Sequence, residues 1–196
     1  FVFIFNFFFS FYGVCAISPI KGGETNQSYL IEQANGKSVI RYGTPFAEAL
    51  GIDREIEAVF ARKAAELGIG PQIYFIDSEK GILISEFIEG KSLLPAQIKD
   101  SKTLLELIRQ LKLFHSQKIK QRDLYHERSK KKWESFLKDT PLYTDKAAYM
   151  EVQKLISQYL NNNVGLCHGD LWAPNIIKVE GIGYKFIDWE YGFVGN

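Results

Sequence analysis

The sequence predicts an α+β chain in two lobes, and three observations predict it. Short β-like runs surround one amphipathic helix between residues 14 and 89. The pattern turns helical beyond Glu89-Gly90-Lys91. Three short apolar runs near the end then carry loops rich in Asp and Asn. These shifts divide the chain into a Phe-rich segment (1–17), a first lobe (18–89) and a second lobe (90–196).

The opening run, Phe1 to Tyr12, holds seven of the fifteen Phe, and no charge occurs before Lys21. A basic n-region is missing, which argues against a signal peptide. Asn6 and Ser10 interrupt it short of the ~20 apolar residues that a spanning helix needs. It reads as a strand start or as sequence foreign to the domain. Position 1 is Phe and Met150 is the single methionine, so the chain reads as a fragment or as a sequence with a damaged start.

Ser28 to Glu32 and Ser38 to Tyr42 are expected as strands, joined through Asn35-Gly36, a strong hairpin signal. Lys21-Gly-Gly-Glu-Thr-Asn-Gln27 is a turn-rich link before them. Asp53 to Leu67 is expected as a helix with Asp53 as N-cap; Ile56, Phe60, Ala64 and Leu67 share a face, and Gly68 and Pro71 stop it. Ile73 to Ile76 and Gly81 to Ile88 are two further strands. Lys102 to Gln117 is expected as a helix with Leu104, Ile108, Leu111 and His115 along one face. Lys118 to Lys132 reads as a solvated helix face or loop. Asp145 to Leu160 is a last amphipathic helix, which Asn161-Asn162-Asn163 breaks. Val164 to Cys167, Ile176 to Val179 and Tyr184 to Ile187 are short strands.

Composition excludes several classes. Hydrophobic content is 46%, charged content 24% and formal net charge +1, so a nucleic-acid partner is not expected and neither is stable membrane association. Cys15 and Cys167 make no disulfide framework or metal spacing, which fits a reducing, cytoplasmic setting.

The chemistry sits in His168-Gly-Asp170-Leu-Trp-Ala-Pro-Asn175 and Ile187-Asp188-Trp-Glu-Tyr191. Asp170 and Asn175 stand in the D-x-x-x-x-N spacing of kinase catalytic loops, and Asp188 follows a strand. Phosphoryl transfer needs positioning and charge neutralisation more than covalent help. One Asp orients a hydroxyl and takes its proton; an Asn and a second Asp hold magnesium. Each Asp alone could equally be an Asx-turn or a helix cap. The ordered set points to a phosphoryl-transfer site. His168 is expected to orient the loop rather than to act as a base.

These two motifs resemble the choline/ethanolamine kinase-like branch of the aminoglycoside phosphotransferase superfamily, of bacterial choline kinase type. Gly22-Gly-Glu-Thr-Asn26, Ile52-Asp-Arg-Glu-x-Glu57 and Leu67-Gly-Ile-Gly-Pro71 resemble it too. The resemblance covers residues 18–196. It implies a bilobal protein-kinase-like fold with its C-terminal lobe truncated. It also implies an ATP- and Mg²⁺-dependent kinase for a small alcohol, choline first. Thiamine or ethanolamine kinase, an aminoglycoside phosphotransferase and an inactive kinase fragment are the alternatives.

The resemblance further implies roles for matching positions. Gly22, Gly23, Thr25 and Asn26 would cover the ATP phosphates; an ordinary turn is the alternative. Arg41 would reach phosphate oxygens, or else be a surface strand arginine. Glu57 would pair with Arg41, with Glu55 as its rival in the helix phase. Glu86 to Ile88 would form the adenine hinge, or a plain strand end. Tyr191, Glu190 and Trp172 would lie near the acceptor, while Trp189 packs beneath the metal loop.

Overall fold

The computed structural model describes residues 14–20, 25–138, 145–160 and 165–195. The Phe-rich run, Gly22, Gly23 and the Asn161 to Asn163 break lie outside the described residues. The α+β class is what the structure has, with helices grouped beside antiparallel sheets.

A five-stranded antiparallel sheet opens the fold. It contains β1 (Val14–Ile20), β2 (Asn26–Gln33), β3 (Gly36–Gly43), β4 (Ile73–Asp77) and β5 (Ile82–Glu86), in the order β1-β2-β3-β5-β4. Alternation puts Ile31, Ile40 and Ile84 on one face, where they form a small cluster with Ile17, Tyr29, Tyr42 and Ile82. The β2–β3 register pairs Gln33 with Gly36, so the two-residue loop is Ala34-Asn35, one position earlier than the Asn-Gly signal placed it. Gly36, at φ 145°, opens β3 instead of closing the turn; that backbone region suits Gly.

Helix α1 (Arg54–Glu66) crosses between β3 and β4. The Asp53 carboxylate accepts from the Glu55 and Ile56 amides, which satisfies two of the four unpaired N–H groups of a helix start. Gly68, at φ 70°, ends it in the left-handed region, and Ile69 N donates to Ala64 O. Ile56, Phe60, Ala61 and Ala64 are buried.

The rest comprises β6 (Lys91–Ser92), α2 (Pro95–Ile98), α3 (Ser101–His115), α4 (Arg122–Lys138), α5 (Lys146–Leu160), β7 (Gly165–Cys167), β8 (Ile176–Val179), β9 (Gly183–Phe186) and β10 (Phe193–Gly195). Strands β6, β8 and β9 form one sheet; β7 and β10 form a pair. Helix α3 buries Leu107 and Phe114, whereas Leu104, Ile108 and His115 are exposed. The core face therefore lies beside that stripe, with Leu111 packed against the core. Leu104, Leu107, Ile108, Leu111 and Phe114 share one broad apolar side, of which the Leu107–Phe114 edge is the part that is buried. Among the described residues, no helix is long and apolar enough to cross a membrane.

The main core joins α1 to the motif segments. Phe60 of α1 meets Phe114 of α3 edge-on at 5.6 Å, and Phe114 lies 4.5 Å from Trp189 between ring centroids. Trp189 in turn lies 4.3 Å from the His168 ring. This aromatic row links the helix under the first sheet to both loops that carry the acids.

Candidate functional site

Strand β7 delivers His168, Gly169 and Asp170 to the head of the site. His168 is 3% exposed and bound on both nitrogens: Nε2 meets Ile187 O at 2.9 Å, and Nδ1 accepts from Asp170 N at 3.3 Å. An acceptor at Nδ1 and a carbonyl at Nε2 require the neutral Nε2–H tautomer. Burial holds the ring's pKa down at about 4. His168 is thus a neutral brace between the two motif loops.

A turn of 3₁₀ helix, Ala173–Asn175, brings Asn175 back onto Asp170. Asn175 Nδ2 donates to Asp170 O at 2.9 Å and to its Oδ2 at 3.2 Å. Both bonds use the amide nitrogen, which leaves Asn175 Oδ1 as an acceptor. Ile187 N donates to Asn175 O at 3.0 Å, so the end of β9 is tied to the same turn.

Asp188 follows directly. Its φ of 65° makes it the non-glycine residue with positive φ among those described. Such a conformation costs of order 1 kcal/mol or more and persists where packing enforces it. Here buried Trp189 and the Ile187 amide hold its neighbours. Burial pushes the Asp188 carboxyl up to about 6, helped by Glu190, Glu57 and Asp170; Arg41 opposes the rise.

The first sheet contributes Arg41 from β3. Its guanidinium pairs with Glu57 of α1, and Nη1 lies 3.2 Å from Asp188 Oδ1. Glu57 is 4% exposed, while Glu55 points outward to Arg128 Nη1 at 2.6 Å. The carboxylate that reaches Arg41 is therefore Glu57.

Arg54 went unnoticed as a site residue in the sequence. Its Nη1 lies 2.7 Å from Glu57 Oε2 and 3.3 Å from Glu190 Oε2, and Nη2 donates to Asn26 Oδ1 at 3.2 Å. The available signal was its place three residues before Glu57, which reads equally well as a solvated helix pair.

Glu190 is buried and bonded on both carboxylate oxygens. At 2% exposure it accepts from Thr25 Oγ1 at 2.5 Å and from Asn26 Nδ2 at 2.7 Å. Trp172 is 59% exposed. Tyr191 is half-buried, with Lys132 Nζ 5.7 Å from its ring centroid. At the far end of the sheet, Glu86 uses its side chain on Gln72 N, and Ile88 is buried.

The donor set is oxygen-rich, and burial with nearby carboxylates raises the Asp188 carboxyl, so a hard dication suits it. Among the described residues no three His, Cys, Asp or Glu side chains form a metal cluster. Magnesium needs no such cage, since it takes one or two carboxylates and fills its shell with water and phosphate. Asn175 Oδ1 and the Asp188 carboxylate fit that requirement.

The family model for choline/ethanolamine kinase matches residues 17–194. Probable ethanolamine kinase A of Dictyostelium discoideum is 27% identical over 89% of this chain and 55% of its own length. The chain thus spans about half the length of that curated relative. Among solved structures, a Plasmodium vivax ethanolamine kinase superposes with TM-score 0.73 at 24% identity, covering 91% of this chain and 57% of that one. Choline kinase LicA from Streptococcus pneumoniae gives 0.70 at 24% identity, covering 100% and 70%, and LicA in complex with AMP gives 0.66. These likenesses show the kinase-like fold.

Proposed function

The chain belongs to the choline/ethanolamine kinase family, and from that membership we propose that it transfers the terminal phosphoryl group of ATP to the hydroxyl of a small amino alcohol, with choline as acceptor. The observation that carries this is the convergence of Asp170, its clasp Asn175, and Asp188 with the buried Arg41–Glu57 pair. Asp170 aligns the acceptor hydroxyl; the oxygen attacks phosphorus, its proton passes to the Asp170 carboxylate, and the bond to ADP breaks. An Asp works here because it is ionised at neutral pH and the transition state is loose. Asn175 and Asp188 would hold Mg²⁺, which supplies charge neutralisation at the phosphates. Arg41, oriented by Glu57, faces the same phosphates.

Gly22, Gly23, Thr25 and Asn26 would cover the phosphates, and Glu86 to Ile88 would meet adenine. The neighbour solved with AMP supports an adenine-nucleotide site. Tyr191 would offer an aromatic face to the acceptor's ammonium, and a quaternary ammonium is held by aromatic faces rather than by hydrogen bonds. The names of the Dictyostelium and Plasmodium proteins favour ethanolamine as the second reading.

ATP turnover against choline, ethanolamine, thiamine and kanamycin tests the acceptor; turnover with thiamine and none with choline would overturn it. Asp170→Ala should abolish transfer while nucleotide binding persists. Near-normal turnover in that variant would remove the role given to Asp170.

A further inference from the structure

We propose that Arg54 is a positioning residue: it ties the strand-start residues Thr25 and Asn26 to Glu190, and thereby sets nucleotide affinity. The inference rests on the kinase reading and names a residue that reading does not use.

Three segments distant in sequence meet at this guanidinium. Asn26 starts β2, Arg54 starts α1, and Glu190 follows the Asp188 turn. Their side chains close a ring: Arg54 Nη2 donates to Asn26 Oδ1 at 3.2 Å, Asn26 Nδ2 donates to Glu190 Oε2 at 2.7 Å, and Arg54 Nη1 lies 3.3 Å from that same oxygen. Thr25 Oγ1 occupies the other Glu190 oxygen at 2.5 Å. Arg54 Nη1 also donates to Glu57 Oε2 at 2.7 Å, while Arg41 takes Glu57 Oε1. Glu57 therefore joins this ring to the Arg41–Asp188 pair.

Burial makes the ring consequential. Arg54, Glu57 and Glu190 side chains are 11%, 4% and 1% exposed. Two guanidinium groups face the carboxylates of Glu57, Asp188 and Glu190, so removing Arg54 leaves buried negative charge poorly matched. Space is reserved for the guanidinium: a Cβ at Gly43 would fall on it. A planar fork spreads its donors over Asn26, Glu57 and Glu190, where a lysine would present one compact charge. The Thr25–Asn26 end of the link after β1 is thereby fixed against the segment that carries Asp188.

The test is a double-mutant cycle of Arg54→Gln and Asn26→Ala, read by the Kd of MgADP and by KM for ATP and acceptor. Each single variant should weaken nucleotide binding by about 10-fold or more, as expected for loss of charge-assisted hydrogen bonds. Acceptor KM should stay within about 2-fold on that same bond accounting, and the double variant should lose much less than the sum. Arg54→Lys should recover only part. Unchanged Kd, or fully additive losses, would overturn the proposal. Amide hydrogen exchange of Thr25 to Gln33 without nucleotide separates the two readings. Faster exchange in both variants supports the tether even if wild type binds no MgADP, a result that would defeat the kinase reading alone. Unchanged exchange overturns the tether. If Arg54→Gln does not fold, Arg54→Lys takes its place in the cycle and in the exchange measurement, with the same outcomes deciding.

Discussion

Arg41 Nη1 lies 3.2 Å from Asp188 Oδ1 across 147 residues of sequence. Burial works against the Arg41 charge, yet Glu57 beside it, with Asp188 and Glu190, holds its pKa above the ordinary value. The pair closes the gap between the first sheet and the Asp188 turn. Arg41→Met would keep the stem and delete the charge. Breaking a buried pair by removing one partner costs 3–5 kcal/mol; Arg54 still faces Glu57, so about 3 kcal/mol is expected. Urea denaturation measures it, and a loss below about 1 kcal/mol would show that this pair does not hold the sheet to the turn.

Asp188 gives a pH dependence of definite sign. Its folded pKa of about 6 lies above the ordinary carboxyl value. A raised group contributes its stability at low pH and loses it as pH rises through the folded pKa. Stability from Asp188 should therefore fall between about pH 4 and pH 6, by on the order of 1–3 kcal/mol. Asp188→Asn should remove that component. Mg²⁺ should raise the melting temperature of the wild type at pH 7.5, do little at pH 4.5, and do little to Asp188→Asn at either pH. A magnesium shift that survives in Asp188→Asn would exclude Asp188 as a ligand.

His168 titrates in the opposite sense. Its pKa is lowered to about 4 by burial, so its stability is present above the unfolded value near 6.5 and lost as pH falls through about 4. The two groups therefore offset one another between about pH 4 and pH 6, and wild-type stability should change little there. Proton NMR should find a His168 ring that does not titrate between pH 5.5 and 8. A midpoint near 6.5 would contradict the neutral brace between Ile187 and Asp170.

The legible parts of this fold are those that local chemistry specifies. Asp53 caps α1 and Gly68 ends it because a capping carboxylate and a left-handed turn need those residue types. The five-residue spacing of Asp170 and Asn175 anticipates the contact between them, and the bounds expected for β8 match the structure. What stayed hidden was long-range. Glu190 reads as a pocket carboxylate until Thr25 and Asn26 take both its oxygens, from partners more than 160 residues away. Arg54 reads as a surface helix residue until that same carboxylate draws it inward. The buried edge of α3 was hidden for a different reason: its apolar side is broader than the face it buries, and contacts with Phe60 and Trp189 decide that Phe114 faces the core.

Gly169 sits where the Asp170 turn meets the backbone of Tyr191. Its φ of 81° lies where side chains are disfavoured, and a Cβ there would collide with the Tyr191 carbonyl oxygen. The obstacle is backbone, so no rotamer change relieves it. Gly169→Ala must therefore push the Asp170 loop away from the Asp188-to-Tyr191 segment, while His168 and Trp189 resist through the aromatic row. Backbone strain and lost packing together should cost more than about 2 kcal/mol. The displacement should also break the Asn175 bond to Asp170 and remove phosphoryl transfer. Ala at Gly181 is the control. That glycine also has positive φ, at 72°, but a Cβ there meets nothing within 4 Å, so the loss should be about 1 kcal/mol from backbone strain alone. Equal losses at the two positions would show that left-handed strain, not the close approach of Tyr191, is what reserves position 169 for glycine.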